Sequence, residues 1–321
     1  MKKVLLTIKI VSFICGLSAA LLYAYIIHLL KTPMPVDEPK IIQIQNGDSL
    51  TKIAQTLYEN DLILKKNYFI LYAKINKIYP KIKAGEYLIE NDVTLPDVAQ
   101  ILGSGKLYLR KITFAEGLTA REIYDILYQN ELLKGDLTSL KEGAFLPETY
   151  TFSRGEQRQK IIEQGIDAMQ KILEQVWQER DAELPLKNKE ELLILASIIE
   201  KETGVASERS KIASVFVNRL KKGMLLQTDP TVIYAITQGQ RDLGRALTRK
   251  DLSIDSPFNT YKYAGLPPTP ICSPGTASIM AAAHPDKTQY LYFVASGNGG
   301  HNFARTLQEH NINVRAYKKI R

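Results

Sequence analysis

The residue in this sequence best suited to chemistry is Glu200, an acid at the end of an apolar run. The run lies in the segment NKEELLILASIIEKETG, residues 188–204, and at helical spacing Glu200 shares a face with Leu193 and Ala196. A carboxyl group without a partner in an apolar environment usually has a raised pKa and stays protonated near neutral pH. A protonated glutamate beside a pocket can act as a general acid.

A second interpretation of Glu200 is purely structural. Most glutamates at helix ends are solvated, and pairing with Arg209 or Lys211 in the next element would satisfy this one. Position alone favours the structural interpretation, so a catalytic role needs additional signals.

Both ends of a helix are marked around Glu200. Asn188 and Glu191 have the spacing of a capping box, and Gly204 is the usual residue for a left-handed helix stop. Between these ends the segment is apolar on every side, as in a helix that other elements cover completely. We therefore expect it to be the core helix of its domain.

Length and composition indicate a globular protein with room for two domains and an anchor. The chain has 321 residues, of which 45% are hydrophobic and 24% charged. Its net charge is +8, but four lysines lie within the first 31 residues, so the remainder carries only +4. That excess is too small to indicate nucleic-acid binding, and it is compatible with an anionic polymer or with an ordinary basic surface.

The sequence contains two cysteines, Cys15 and Cys272. Because Cys15 lies in an apolar segment, no intramolecular disulfide framework is expected. Ile14 precedes it where a lipoprotein acceptor needs a small residue. We expect both cysteines to be packing residues.

Residues 10–30 predict a helix that spans a membrane. The segment IVSFICGLSAALLYAYIIHLL has no formal charge when its histidine is neutral, and a span needs about 20 residues. Three lysines precede it and only Lys31 follows closely, so the positive-inside rule places the amino terminus in the cytoplasm and the rest outside. The alternative is a signal peptide cleaved near residues 19–20, but the apolar run continues ten residues further, which favours an uncleaved signal anchor.

The remainder is expected to have an α+β fold. Alternation of Ile42 and Ile44 with glutamines predicts a strand, followed by a turn and a helix. The same order recurs later, since LTKIAQTLYENDLI is weakly repeated as LTAREIYDILYQNELL. The predicted organisation is an anchor at 1–31, a proline-rich linker at 32–40, a small α+β domain at 41–104, a connecting α+β unit at 105–155 and a larger mixed α+β domain at 156–321.

Several positions in the larger domain have predicted roles at helix starts. Ser207 and Asp229 are expected to cap the two helices after the central one, and Ser273 to begin a third. Gln227 and Asp229 fall in a short connection where their side chains could line a cleft, although capping alone would explain Asp229.

Metal and nucleotide sites are not indicated. His284, His301 and His310 do not have the spacing of a metal-binding motif. The glycine run at 297–300 lacks the lysine of a phosphate loop. No cofactor is therefore predicted, and His301 is either structural or part of a cleft.

Three blocks of the sequence resemble the MltG (YceG-like) family of endolytic murein transglycosylases. They read LASIIEKETGVASERSKIASVFVNRLKKGMLLQTDPTVIYAI, SPFNTYKYAGLPPTPICSPGTASIMAAAHP and YLYFVASGNGGHNFARTLQEHN. The resemblance covers essentially the whole chain, including the membrane anchor. It also includes GDSLTKIAQTL, which looks like the opening of a LysM module, a small fold that binds N-acetylglucosamine-containing glycans.

The resemblance implies roles for particular residues. Glu200, the first glutamate of the E-K-E-T block, corresponds to the catalytic residue. Asn259, Thr260 and Tyr261 match a block that faces the active cleft, which implies sugar binding and orientation of the glutamate. Turn formation is the alternative for Asn259. The further candidates for substrate binding are Gln227, Asp229 and His301.

The family also implies a location and partners. The enzyme would be a single-pass protein of the cell inner membrane with its catalytic domain on the periplasmic side. Its substrate would be peptidoglycan glycan strands, its action endolytic, and its role the termination of nascent strands beside the peptidoglycan synthases. Nucleic acid is not an expected partner.

One carboxyl group suffices for the reaction that the family implies. Ordinary glycosidases need two carboxylates, whereas in a lytic transglycosylase the C6 hydroxyl of the substrate replaces water and a 1,6-anhydro end forms. Two rival functions stay open. The chain could be a non-catalytic, membrane-tethered peptidoglycan-binding scaffold, or a muramidase-type hydrolase with Asp229 as its second carboxylate.

Overall fold

A computed structural model describes residues 2–34 and 38–320 of the chain, so residues 35–37 of the predicted linker lie outside the described residues. The chain divides into two units, Met1–Arg110 and Lys111–Arg321, and the second unit contains most of the predicted connecting segment. Helices and strands are mixed in both, which confirms the predicted α+β class.

The first unit begins with an apolar helix, α1 (Lys2–Lys31). Its segment from Leu6 to Lys31 has a mean hydropathy of 2.2, and its most apolar stretch is not buried in the protein. At 1.5 Å per residue, 26 residues exceed the thickness of a bilayer's hydrocarbon core. The helix is thus compatible with a single-pass membrane anchor.

The start of the predicted linker packs against the first unit. Met34 is buried, and its backbone N–H donates to the Val93 carbonyl at 2.8 Å. Lys40, at the other end, already belongs to a strand.

The rest of the first unit has the order strand, two helices, strand, helix. The alternation predicted for the first strand is confirmed, because Ile42 and Ile44 are buried and Gln43 is exposed. The two strands pair antiparallel, with Ile42 opposite Tyr87. The elements are β1 (Lys40–Ile44), α2 (Leu50–Glu59), α3 (Lys66–Ile75), β2 (Gly85–Ile89) and α4 (Leu95–Gly103). That this segment is LysM-like stays a prediction.

The second unit contains the repeated strand and helix, and then the helices of the central core. The repeat is structural, since α5 follows a strand just as α2 does, and both helices have a hydroxyl side chain at the N-cap. The elements are β3 (Arg110–Thr113), α5 (Ala120–Gln129), β4 (Thr149–Phe152), α6 (Arg158–Glu179), α7 (Lys189–Glu202), α8 (Arg209–Lys221), α9 (Asp229–Thr237), α10 (Thr276–Ala283), β5 (Tyr292–Ala295), β6 (His301–Ala304) and α11 (Leu307–Ile320). Strand β3 pairs with β4, and β5 pairs with β6.

Helix α7 is the core helix, as predicted. It packs against α6, α8, α9 and α10, and seven of its residues are buried.

Phe145 and Tyr150 belong to a second apolar cluster beside β3 and β4, where their rings pack on Phe114. Both aromatic residues therefore serve core packing.

Three predicted helix signals are wrong in detail. Gly204 does not adopt a left-handed conformation; α7 ends at Glu202, and its C-cap, Thr203, has extended backbone. Ser207 does not cap α8, since a 3₁₀ turn over Ala206–Glu208 runs directly into that helix. Helix α10 begins at Thr276 after Gly275 rather than at Ser273.

Candidate active site

The last turn of α7 carries two acids, Glu200 and Glu202. Asn188 starts the helix, because its side chain accepts the backbone N–H of Glu191 at 2.9 Å. Residues two apart on a helix point in different directions. The two carboxyl groups accordingly have different neighbours.

Glu200 is held in a nearly closed environment. Its side chain is only 6% exposed, and Oε2 accepts the backbone N–H of Gly275 at 2.9 Å. Its Oε1 lies 3.9 Å from Nη2 of Arg209, too far for a hydrogen bond. The structural alternative considered for Glu200 is thus correct in naming Arg209 as a neighbour, but the carboxyl group is not solvated.

The loop after β3 covers Glu200 from the other side. Gly117 has φ +81°, and a Cβ there would lie 3.6 Å from Cγ of Glu200, so glycine allows both the turn and the close approach. Two backbone hydrogen bonds join this loop to Ser273: the Gly117 N–H donates to its carbonyl at 2.9 Å, and its own N–H donates to the Leu118 carbonyl at 2.8 Å. The Lys201 ammonium also donates to the Gly117 carbonyl, at 3.2 Å.

Glu202 lies against a separate pocket of about 460 Å³. The hydroxyl of Thr228 donates to its carboxyl group. Burial raises the pKa of Glu202 to about 6, and the nearby charge of Asp229 also raises it, although the Thr228 hydrogen bond opposes them. The pocket is lined by Glu202, Arg219, Leu226, Gln227, Asp229, Tyr261, Tyr292, Phe293, Val294, Leu307 and His310.

Three predicted binding residues line this pocket together. The Tyr261 hydroxyl donates to Oδ1 of Asp229 at 2.6 Å. Gln227 is exposed and has φ +50°, a conformation held by its N–H donating to the Thr260 carbonyl at 3.1 Å. Asp229 is the first residue of α9 and not its cap, because Thr228 occupies the N-cap position. Its carboxylate is therefore directed to Tyr261 rather than to the helix terminus.

Asn259 and Thr260 are buried and do not line the pocket. The Asn259 side chain donates to the carbonyls of Leu252 and Ile254 and accepts the Tyr261 N–H at 3.0 Å. Oγ1 of Thr260 accepts the N–H of Thr228 at 3.1 Å. These bonds favour the turn-forming role considered for Asn259, with both residues placing Tyr261 and the start of α9.

His301 pairs with Glu208 at the start of β6. Its Nδ1 lies 2.7 Å from Oε2 of Glu208, and its backbone N–H donates to Oε1 at 2.9 Å. Burial raises the pKa of Glu208, but the hydrogen bonds and charge of His301 outweigh it and lower the pKa overall. His301 also acts electrostatically on Glu202, so this pair lies beside the second acid.

No group of three or more His, Cys, Asp or Glu side chains in the described residues is placed to hold a metal ion. Cys272 is fully buried and its thiol donates to the Ser197 carbonyl at 3.3 Å. Burial raises the pKa of this thiol well above its usual range. It is a packing residue, as predicted.

Sequence reasoning missed two charged residues of the site, Glu202 and Glu116, and one contact of a third, Arg209. Glu202 repeats the chemistry of Glu200 two positions later, so its signal was visible but not used. Glu116 lies 84 positions before Glu200, and only the fold brings it near. Arg209 was considered as a partner of Glu200 alone. In the structure, Nη2 of Arg209 also lies 3.5 Å from Oε2 of Glu116.

Comparison with known proteins identifies the family. The model of the YceG-like family matches residues 42–316. The chain belongs to the YceG-like family. A Bacillus subtilis relative named endolytic murein transglycosylase is 37% identical over 84% of this chain and 82% of its own length.

Two further similar proteins support this family assignment. The Streptococcus pneumoniae D39 protein of the same name is 28% identical over 96% of this chain, which spans only 64% of that protein's length. A solved YceG-like structure from Listeria monocytogenes matches with 31% identity and a TM-score of 0.51, covering 86% of this chain and 99% of the other. Sequence and fold thus point to the same family.

Proposed function

We propose that this YceG-like protein is a membrane-anchored lytic transglycosylase that cleaves peptidoglycan glycan strands. The observation that carries the proposal is the placement of Glu200: a carboxyl group 6% exposed, fixed by one backbone N–H, at the end of a buried helix. Family membership and the names of its relatives support the substrate and the reaction class.

The hydrogen bonding of Glu200 assigns its two oxygens different roles. Oε2 accepts the Gly275 N–H and so is occupied as an acceptor. Oε1 has no hydrogen bond to the cation at 3.9 Å and is the oxygen available to carry the acid proton. One carboxyl oxygen thus holds the side chain in place, and the other can carry the proton that a general acid donates.

The proposed reaction needs no second carboxylate and no water. Glu200 donates its proton to the oxygen that links N-acetylmuramic acid C1 to N-acetylglucosamine, and the C1–O bond breaks. The C6 hydroxyl of the muramic residue then attacks C1, and Glu200 accepts the proton that this hydroxyl loses. Intramolecular attack benefits from proximity, and the low exposure of Glu200 limits competing water. The products are a 1,6-anhydro-muramyl end and a free 4-hydroxyl.

The pocket of Glu202, Asp229 and Tyr261 is proposed to bind the glycan. It combines carboxyl groups with aromatic rings, and rings such as Tyr261 and Tyr292 offer faces on which saccharide C–H groups can pack.

We further propose inner-membrane anchoring by α1, endolytic action and termination of nascent strands near peptidoglycan synthases. The relatives' names support endolytic action, the apolar helix α1 supports an anchor, and the family resemblance supports the location and the role in termination.

The test is the product spectrum of the full chain in detergent. Wild-type enzyme is expected to release muropeptides with 1,6-anhydro ends, detected by mass spectrometry, and Glu200→Gln to lose this activity by at least about 100-fold, the usual contribution of a general acid. Glu190→Gln, the same change at an exposed position of α7, is the matched control and should keep activity.

Other outcomes separate the rival functions. Anhydro ends from Glu200→Gln would exclude this assignment. Reducing ends from the wild type would indicate a muramidase, and strand binding without any cleavage would indicate a scaffold.

A further inference from the structure

Arg209 lies between two carboxyl groups at the candidate site. Its Nη2 is 3.5 Å from Oε2 of Glu116 and 3.9 Å from Oε1 of Glu200. The Arg209 side chain is 13% exposed, and its buried Nε has no hydrogen-bond partner. The guanidinium is therefore shared by two acids and fully bonded to neither.

The loop that carries Glu116 places this acid beside Arg209, with 44% of its side chain exposed. The backbone pairing of Gly117 and Leu118 with Ser273 holds the loop beside the start of α10. A Cβ on Gly275 would lie 1.8 Å from Oε1 of Glu116, so the Glu116 carboxyl group packs directly against this glycine. The same glycine donates its N–H to Glu200.

The carboxyl group of Glu200 is little exposed, accepts one backbone N–H and lies 3.9 Å from the Arg209 guanidinium. In general, a cation beside a carboxyl group favours its ionised form. A general acid must hold its proton until the glycosidic bond breaks. Something must therefore weaken the influence of Arg209, and the Glu116 carboxylate is the nearer of its two partners.

We propose that Glu116 is a positioning residue for the transglycosylase reaction: it draws Arg209 away from Glu200 and offsets its charge, so that Glu200 keeps the proton it donates. The inference rests on the proposed function of Glu200. Glu116 thus acts on Glu200 through the position and charge of Arg209.

Other charged groups on α7 and on the elements packed around it already have hydrogen-bond partners. On its own helix, Lys201 donates to the Gly117 carbonyl, and Glu202 accepts from Thr228. Before α8, Glu208 pairs with His301. Asp229 of α9 accepts from Tyr261, and the buried Cys272 thiol before α10 stays neutral. Among these charged groups, Glu116 and Arg209 are therefore the pair whose substitution changes the charge beside Glu200 most directly.

The test is the pH profile of anhydro-end formation by the full chain in detergent. The alkaline limit of activity marks the loss of the acid proton. Glu116→Gln removes a negative charge and frees Arg209 to approach Glu200, so the limit should move to lower pH, by about half a unit or more. Arg209→Gln removes the cation, so the limit should move to higher pH.

Three further variants make the result specific. The double variant Glu116→Gln, Arg209→Gln should return the limit close to the wild-type value. The backbone of Gly275 has φ −75°, a conformation that alanine adopts readily. In the variant Gly275→Ala, the added methyl group would displace Glu116. It should therefore move the limit in the same direction as Glu116→Gln. Glu148→Gln, an exposed glutamate before β4, is the matched control.

The position of the limit does not depend on the amount of folded enzyme, so partial loss of stability does not obscure the result. An unmoved limit, shifts of the same sign in both single variants, or a Glu116→Gln enzyme that stays inactive at low pH would overturn the proposal. Failure of the catalytic assignment itself is seen separately, as activity of Glu200→Gln.

Discussion

At the residue scale, the last turn of α7 gives two identical side chains different chemistry. Glu200 accepts a backbone N–H and approaches a guanidinium. Glu202 accepts a hydrogen bond from the Thr228 hydroxyl and lies near the charge of Asp229. One turn of helix thus has one carboxyl group held by a backbone N–H and, beside a pocket, a second whose pKa is raised to about 6. The two side chains differ in environment and not in residue type.

Glu202 should make stability depend on pH. Its pKa is raised to about 6 because it is buried, so the folded state favours the protonated form. The resulting stability is fully present below the ordinary carboxyl pKa and is lost as pH rises through about 6. Between pH 4 and pH 8 we expect the wild type to lose roughly 2 kcal/mol through this group.

Glu202→Gln should remove that loss, because glutamine resembles the protonated acid and does not ionise. The measurement is urea unfolding of wild type and variant at both pH values, with Glu190→Gln as control for the chemical change. The variant should be the more stable protein at pH 8 by a margin that disappears at pH 4. A margin equal at both values would contradict the assignment.

At the element scale, one buried serine ties the site loop to the core helix. Ser197 donates to the Ile194 carbonyl at 2.7 Å and accepts the N–H of Ile271 at 3.1 Å. The next residue, Cys272, bonds to the Ser197 carbonyl. This attachment fixes the segment that ends in Gly275, and hence the donor to Glu200.

Ser197→Ala should destabilise the protein and also weaken catalysis. Without the hydroxyl, the buried Ile271 N–H has no partner, which costs about 1–3 kcal/mol. Thermal unfolding measures the first effect, and anhydro-end formation well below the melting temperature measures the second. Ser207→Ala, at an exposed serine, should change neither. Full activity of folded Ser197→Ala would show that the loop keeps its place without this bond.

The sequence predicted the elements whose signals are local. Helix α7 has a capping asparagine and a fully apolar body, and β1 alternates over a few residues, so both followed from neighbouring side chains. Contacts between distant segments were not predictable in this way. Glu116 lies 3.5 Å from Arg209, beside Glu200, on a loop held by its backbone pairing with Ser273, and no periodic pattern in the sequence indicates such pairing.

Burial also changed the predicted roles of loop residues. Asn259 and Thr260 stood out by type and resemblance, but the fold places their side chains against backbone groups. Asp229 was expected to cap α9, yet Thr228 takes that position. Which polar residue faces a pocket and which supports its wall is decided by tertiary packing, and single-sequence reasoning does not contain it.

At the scale of the whole molecule, charge is distributed unevenly around α1. Lys2, Lys3 and Lys9 lie in or before its first apolar turns, whereas Lys31 ends the helix. Lysines within short flanks determine the orientation of a span, and the richer side stays in the cytoplasm. The second unit, which contains the candidate site, follows the helix and is therefore expected on the opposite side of the membrane.

A reporter fused after Arg321 tests this orientation. Alkaline phosphatase, which is active only outside the cytoplasm, should be active in the fusion, and a cytoplasm-dependent fluorescent reporter should be dark. Changing Lys2, Lys3 and Lys9 to glutamine and inserting three lysines after Lys31 reverses the charge difference, so a substantial fraction of the molecules should then change orientation. A fluorescent wild-type fusion with inactive phosphatase would place the candidate site in the cytoplasm, away from peptidoglycan, and both the anchor orientation and the proposed substrate would have to be abandoned.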